Sequence, residues 1–347
     1  RWRPENDFEA YVRLENASLE VLAPYLPPEY RLTGQASLEG VASGTLDAPR
    51  ASVKVESKQI ALNGVLLGDV EGVIEFSPHP QPLSHRVGEG SRLSPSTTPA
   101  EREQENKGNN KTLYAQLTLR TPDGEARITQ LQYDTDKETL LLDAETDLIP
   151  IDWLRRVARA VPDALPPAVA ERIETLQGRV QAQLRVEGVL REPAARLTLN
   201  AETLEWRGQS LGNLALQGTW QGKSEVADLA EASPAERAAE SIRRLRTQRA
   251  ELQRLRWQAE NARLEAQGTY TPERLEADIE IAQLPLRWAR LWEPSLPEFD
   301  GNLDLSLLAD GTPESPEMTL SATVNNLTYG EYTVDQILFS QIDVREG

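Results

Sequence analysis

The sequence predicts a mainly β protein: an elongated repeat array forming an open, curved β-sheet groove, with short amphipathic helices and one inserted helix. Three observations predict it. Apolar and polar residues alternate with period two through most of the chain, a glycine and proline spacing recurs three times, and helical stretches are too few to cover the apolar strand faces.

The alternation is clearest in two segments. Val180, Ala182, Leu184 and Val186 alternate with Gln181, Gln183, Arg185 and Glu187, and Leu275, Ala277, Ile279 and Ile281 alternate with Glu276, Asp278 and Glu280. Strict period two gives a strand one dry face and one wet face. About eighteen such segments follow one another, bounded by turn signals such as Thr121-Pro122-Asp123-Gly124 and Tyr270-Thr271-Pro272-Glu273.

The repeat consists of a glycine, a second glycine ten residues on and a proline fifteen residues on. Its copies are Gly34, Gly44, Pro49; Gly178, Gly188, Pro193; and Gly301, Gly311, Pro316. Glycines at this spacing within strands point to turns or bulges, not to a phosphate-binding loop. The first two copies also share Gly64 and Gly208, thirty residues after the opening glycine, and Gly68 and Gly212, thirty-four after it. Before each opening glycine stands a lead-in of strand, apolar turn and helical patch. It reads Ile149-Pro150-Ile151 with Trp153 to Val161 in the second copy, and Leu284-Pro285-Leu286 with Trp288 to Trp292 in the third. The first lead-in is looser, running from Phe8 to Leu14 through Ala17 to Leu26 and ending on Pro27-Pro28.

These units divide the chain into a lead-in at 1–33, a first groove unit at 34–147, a second at 148–283 and a truncated third at 284–347. The opening glycines lie 144 and 123 residues apart, and two insertions account for much of that length. Residues 77–111 are rich in Pro, Ser, Gly and Asn with almost no apolar content, which predicts disorder. Residues 223–250 predict a helix, opened by Ser233-Pro234-Ala235-Glu236 as a capping box and continued by Ala238, Ile242, Leu245 and Leu252 at helical spacing.

Composition narrows the function classes. A net charge of −18 argues against a nucleic-acid partner, which calls for clustered Lys and Arg. With no cysteine there are no disulfides, thiolate metal sites or cysteine nucleophiles. The two histidines, His79 and His85, both fall in the first insertion, so no His-based centre is expected in the folded part. Carboxylates occur singly on wet strand faces, and Asp134-Thr135-Asp136 reads as a turn rather than a calcium loop. No catalytic residue, metal site or cofactor is expected. The chain opens at Arg1 and closes on the strand-like Ile342-Asp343-Val344, so an anchor or terminal domain is expected outside it.

The string from Gly178 to Pro193, continued by Leu197-Thr198-Leu199, Trp206-Arg207-Gly208 and Leu211-Gly212-Asn213-Leu214 and closed by Gly268-Thr269-Tyr270, resembles the degenerate repeat of the TamB and AsmA-like family. Gly34 to Gly72 follows the same pattern. The resemblance implies a periplasmic β-groove in the cell envelope, anchored in the inner membrane by a segment absent here. Along it phospholipid would pass between the inner and outer membranes, or outer-membrane protein assembly would be supported. It also implies phospholipid acyl chains as ligand and an outer-membrane β-barrel as partner through regions outside this chain. The expected groove lining is Leu184, Val186, Leu197, Leu199, Ala277, Ile279, Ile281, Leu305, Leu307, Leu320, Ala322 and Val324. The rival reading is a structural β-solenoid or β-sandwich spacer or adhesin, whose core would be closed and dry.

Overall fold

The computed structural model describes residues 7–25, 29–45, 48–78, 111–160, 174–224, 245–293 and 295–344. They form one antiparallel sheet of seventeen strands, close to the eighteen segments counted in the sequence. Strand β1 (Phe8–Ser18) leads into a first set, β2 (Leu32–Gly44), β3 (Pro49–Leu62), β4 (Val65–Ser77), β5 (Thr112–Thr121), β6 (Gly124–Asp134) and β7 (Thr139–Thr146). A short β8 (Ile149–Pro150) and helix α1 (Ile151–Ala160) precede a second set, β9 (Leu176–Val189), β10 (Glu192–Trp206), β11 (Gln209–Ser224), β12 (Leu245–Ala259), β13 (Ala262–Tyr270) and β14 (Leu275–Pro285). A 3-10 turn at Leu286–Trp288 and helix α2 (Ala289–Trp292) then lead to β15 (Asp300–Thr312), β16 (Ser315–Tyr329) and β17 (Tyr332–Val344).

Each long strand pairs with the next in sequence, so the sheet is a meander; β8 sits beside β7 on the same flank of β9. Within the described residues β1 and β17 are each paired on one side only, and the sheet does not close into a barrel. No described helix is long and apolar enough to cross a membrane.

The register explains the repeat. Gly44 pairs with Pro49, Gly188 with Pro193 and Gly311 with Pro316, so the second glycine and the proline face each other across one hairpin in all three copies. A proline at the start of a strand costs the ladder no essential donor. The opening glycines, Gly34, Gly178 and Gly301, have φ of 133, 132 and 135°. Each presses on a bulge in the following strand: a Cβ on Gly34 would lie 3.0 Å from the Gln59 carbonyl oxygen, and one on Gly178 would lie 3.0 Å from that of Glu202.

The bulges are braced from the neighbouring strand. Asn16, Gln59, Thr203 and Gln283 all have φ near 50°, a left-handed conformation that costs a side-chain-bearing residue energy. Their backbone N–H groups donate to Ser37 Oγ (3.1 Å), Asp69 Oδ1 (2.8 Å), Asn213 Oδ1 (3.1 Å) and Asp304 Oδ1 (2.8 Å), respectively.

The two rims of the sheet differ. The first 3-10 turn (Leu19–Tyr25), α1 and α2 all leave from one rim, which also carries the bulges and the turns Asn63-Gly64 and Arg207-Gly208. The stretches 78–111 and 225–244 leave from the other, in equivalent positions after the third strand of each set. Both 79–110 and 225–244 lie outside the described residues, and with them the expected disorder and the capping box.

Two expectations need correcting and one is refined. Residues Leu245 to Ala250 are strand, not helix, because β11 runs on to Ser224 and its backbone groups pair with β12 from Leu245 onward. The Leu245 and Leu252 spacing that suggested a helix is overridden by that ladder. In the first lead-in Ala17 still belongs to β1, and the helical patch is a 3-10 turn containing Pro24. In the third, the patch divides into a 3-10 turn and a four-residue α2.

Candidate functional site

The site is the aliphatic face of the sheet. Because pairing conserves the side-chain alternation, directly opposed residues share a face. One transverse row runs from Leu14 through Leu38, Val55, Gly72, Leu117, Ile128 and Ala144 to Leu184. It continues through Leu197, Gly218, Leu252, Gly268, Ala277 and Ala309 to Met318. Fifteen strands thus contribute one residue each, and none of the fifteen has a polar side chain. At the usual strand spacing the row extends roughly 65 Å.

All twelve sequence-predicted lining residues fall on this face. Leu184 opposes Leu197, Ala182 opposes Leu199 and Val186 opposes Ala195. Ile279 opposes Leu307, which opposes Leu320; Ile281 opposes Leu305, which opposes Ala322; Leu303 opposes Val324. The register also adds residues that the sequence reading passed over, notably Val53, Val55, Ile74, Leu117, Leu131 and Leu142. Period two in β3 to β7 was the available signal. It is interrupted by Gly72 and by the bulges between Ser57 and Ile60 and between Ile128 and Gln130, which shift the phase.

Burial separates this face from a closed core. Each of the twelve predicted residues is only partly buried. Thirteen hydrophobic residues among those described are buried, and most of them gather under α1 and α2, which cap one rim of the sheet. Val180, Ala201 and Leu204 pack with Ile151 beside α1, while Ala259, Ala262 and Trp288 pack with Trp257, Leu211 and Leu291 beside α2. Trp257 meets Trp288 edge-on at 5.4 Å between ring centroids.

The caps reach back across the sheet. The Asn63 side-chain amide donates to the Ala160 carbonyl at the end of α1 (2.7 Å), and the Arg207 guanidinium donates to the Leu291 carbonyl in α2 (2.6 Å). Arg287 adds an ion pair to Glu260 (2.7 Å), and Arg156 adds one to Asp123 (3.8 Å).

The opposite face is mainly polar, and several of its charges pair with one another. Arg120 bridges Glu71 and Glu125, and Arg127 donates to Glu125 (2.7 Å), so both arginines hold the Glu125 carboxyl below the ordinary carboxylate range. Arg274 does the same for Asp310 at 3.1 Å. A hollow of about 570 Å³ on this face is bordered by Glu251, Glu276, Asp278, Asp310 and Glu317, which makes it a poor host for an anionic ligand. Asp134 accepts from the N–H groups of Asp136 (3.0 Å) and Lys137 (2.9 Å), the turn expected there. Among the described residues no three His, Asp or Glu side chains gather as a ligand set for a metal, and His79 and His85 lie outside them.

Comparison with protein-family models, with curated proteins and with solved structures finds no match to this chain. What the site can do therefore has to be argued from its own chemistry. An uninterrupted, partly exposed aliphatic face offers dispersion contact and release of ordered water, with no directional group to select a ligand.

Proposed function

We propose that this sheet is a lipid-binding groove segment of the TamB and AsmA-like kind. Acyl chains of phospholipid lie on the aliphatic face, head groups remain in water, and lipid passes along the row between the two membranes of a cell envelope. The observation that supports this reading is the row from Leu14 to Met318, apolar in every strand it crosses, on a face whose twelve predicted lining residues are each only partly buried. A sandwich spacer needs the same alternation but covers that face with a second sheet. A fully buried methylene contributes about 0.8 kcal/mol, so a chain of a dozen methylenes on this face gains at most roughly 10 kcal/mol before the cost of immobilising it. The binding is non-covalent, and the transfer as proposed needs no cofactor.

The test is photocrosslinking from a benzoylphenylalanine placed at Leu199 or Leu305 in the intact envelope, paired with solvent extraction of the purified protein. Phospholipid adducts at both positions and co-extracted phospholipid are expected. Lipid-free protein with no adducts would favour the spacer reading.

A further inference from the structure

Trp153 and Trp288 occupy the same place in two successive caps, each three residues after the proline of a matching pair, Ile149-Pro150 and Leu284-Pro285. Each is only 6% exposed, and the indole Nε1 of each has no hydrogen-bond acceptor. A buried indole N–H ordinarily finds an acceptor, because leaving it unpaired forfeits its hydration without return. Here the same orphan donor occurs twice, at equivalent stations.

The surroundings of Trp288 say what kind of acceptor would fit. Its neighbours are Ala259, Ala262, Leu211, Leu284 and Leu291, together with Trp257, whose own Nε1 already donates to the Leu211 carbonyl. A lone water needs two to four polar partners, and such apolar walls supply few. An oxygen carried at the end of an aliphatic chain needs only the one donor, and its chain suits the walls.

We propose that each cap is a gated acceptor site, in which Trp153 or Trp288 donates to the carbonyl oxygen of an acyl chain lying on the adjoining aliphatic face. The proposal rests on the lipid reading above. With the cap seated the indole nitrogen is sealed, so the oxygen reaches it as the cap lifts. Polar ties across the cap rim include Asn63 to Ala160, which is part-buried, and the exposed Arg156 to Asp123 for α1, and Arg207 to Leu291 and Arg287 to Glu260, both exposed, for α2. The caps would then hold each lipid at a fixed station along the aliphatic face.

The experiment compares capture of two photoactivatable probes by the full chain: a diazirine-bearing methyl palmitate and a diazirine-bearing hexadecane. Wild-type protein should capture the ester roughly fivefold more efficiently than hexadecane, the preference that one neutral hydrogen bond gives. The double variant Trp153→Phe/Trp288→Phe should lose that preference while capturing hexadecane as before. A preference that survives in the double variant, with hexadecane captured by both proteins, overturns the acceptor site and leaves the groove standing. Capture of neither probe by either protein overturns both readings. Should the phenylalanine variant fail to fold by circular dichroism, 3-benzothienylalanine at 153 and 288 replaces the N–H with sulfur in a ring of the same shape, and the same two outcomes decide.

Discussion

Asn63 and Arg207 stand 144 residues apart and make the same contact. Each occupies a hairpin turn at φ near 50°, immediately before a glycine, and each donates a side-chain hydrogen bond to a backbone carbonyl of a cap helix that follows several strands later. The side chains differ, an amide and a guanidinium, so what the two units share is a station rather than a residue type.

Removing the tie should loosen the cap. Arg207→Ala is expected to cost about 0.5–1.5 kcal/mol, the net worth of one such hydrogen bond, and Asn63→Ala more, because the Asn63 side chain also accepts from the Arg31 N–H and donates to the Glu29 carbonyl. Hydrogen exchange should rise in 286–292 for the first variant and in 151–160 for the second, with β9 to β11 unchanged. Equal exchange in both caps would show that the ties are incidental.

The opening glycines should resist replacement, and Gly68 and Gly212, where a Cβ would lie 2.1 Å from a carbonyl oxygen, should resist it more. Gly34→Ala, Gly178→Ala and Gly301→Ala each place a methyl group about 3.0 Å from a carbonyl oxygen of the bulge while holding alanine at a φ near 133°. A loss of about 1–3 kcal/mol is expected at each, measured by denaturant melts. Gly64→Ala is the comparison, since its added methyl group meets nothing within 4 Å.

Leu184 and Arg185 point to opposite faces of β9, Leu184 between Ala144 and Leu197 and Arg185 toward Asp143 and Glu187. On an open groove Leu184→Arg keeps the fold, because its charged end reaches water along the face, and lipid crosslinking falls. Under a closed core the same change would bury an unpaired charge at a cost of several kcal/mol. Circular dichroism and adduct yield together distinguish the cases, with Arg185→Leu as the mild control.

Deleting residues 79–110 should change stability by less than about 1 kcal/mol, since loop-closure cost grows slowly with length. The ends are already adjacent, Ser77 pairing with Thr112 across β4 and β5. A larger shift in the thermal midpoint would show that the segment packs on the sheet.

Glu125 sets a pH dependence of known sign. Its folded pKa is depressed, first by Arg127 and then by Arg120, so the stabilisation is present above the unfolded carboxylate pKa and is lost as pH falls through the folded value. Acid titration below the ordinary carboxylate range should therefore lower the melting temperature, and Glu125→Gln should flatten that slope. The network is exposed, so added salt should shrink the effect.

The sequence by itself determined the strands, their faces and the hairpins that join them. Alternation is a local property: Leu184 and Arg185 must diverge in any strand that contains them, and Gly188 and Pro193 bracket a turn too short to pair otherwise. That is why the twelve lining candidates all came to one face. The tertiary structure decided what depends on partners distant in the chain. Residues 245–250 alternate poorly and carry arginines at helical spacing, yet they are strand because β11 presents unpaired backbone groups beside them. Whether the aliphatic face is covered could not be read from period two, which is the same for a sandwich and a groove. Only the arrangement of all seventeen strands in one sheet, with the caps on a single rim, left Leu184 and Leu197 paired and half-exposed. The placement of Asn63 against α1 and Arg207 against α2 was likewise beyond the sequence, because no short-range pattern records where a chain returns after four more strands have been laid down.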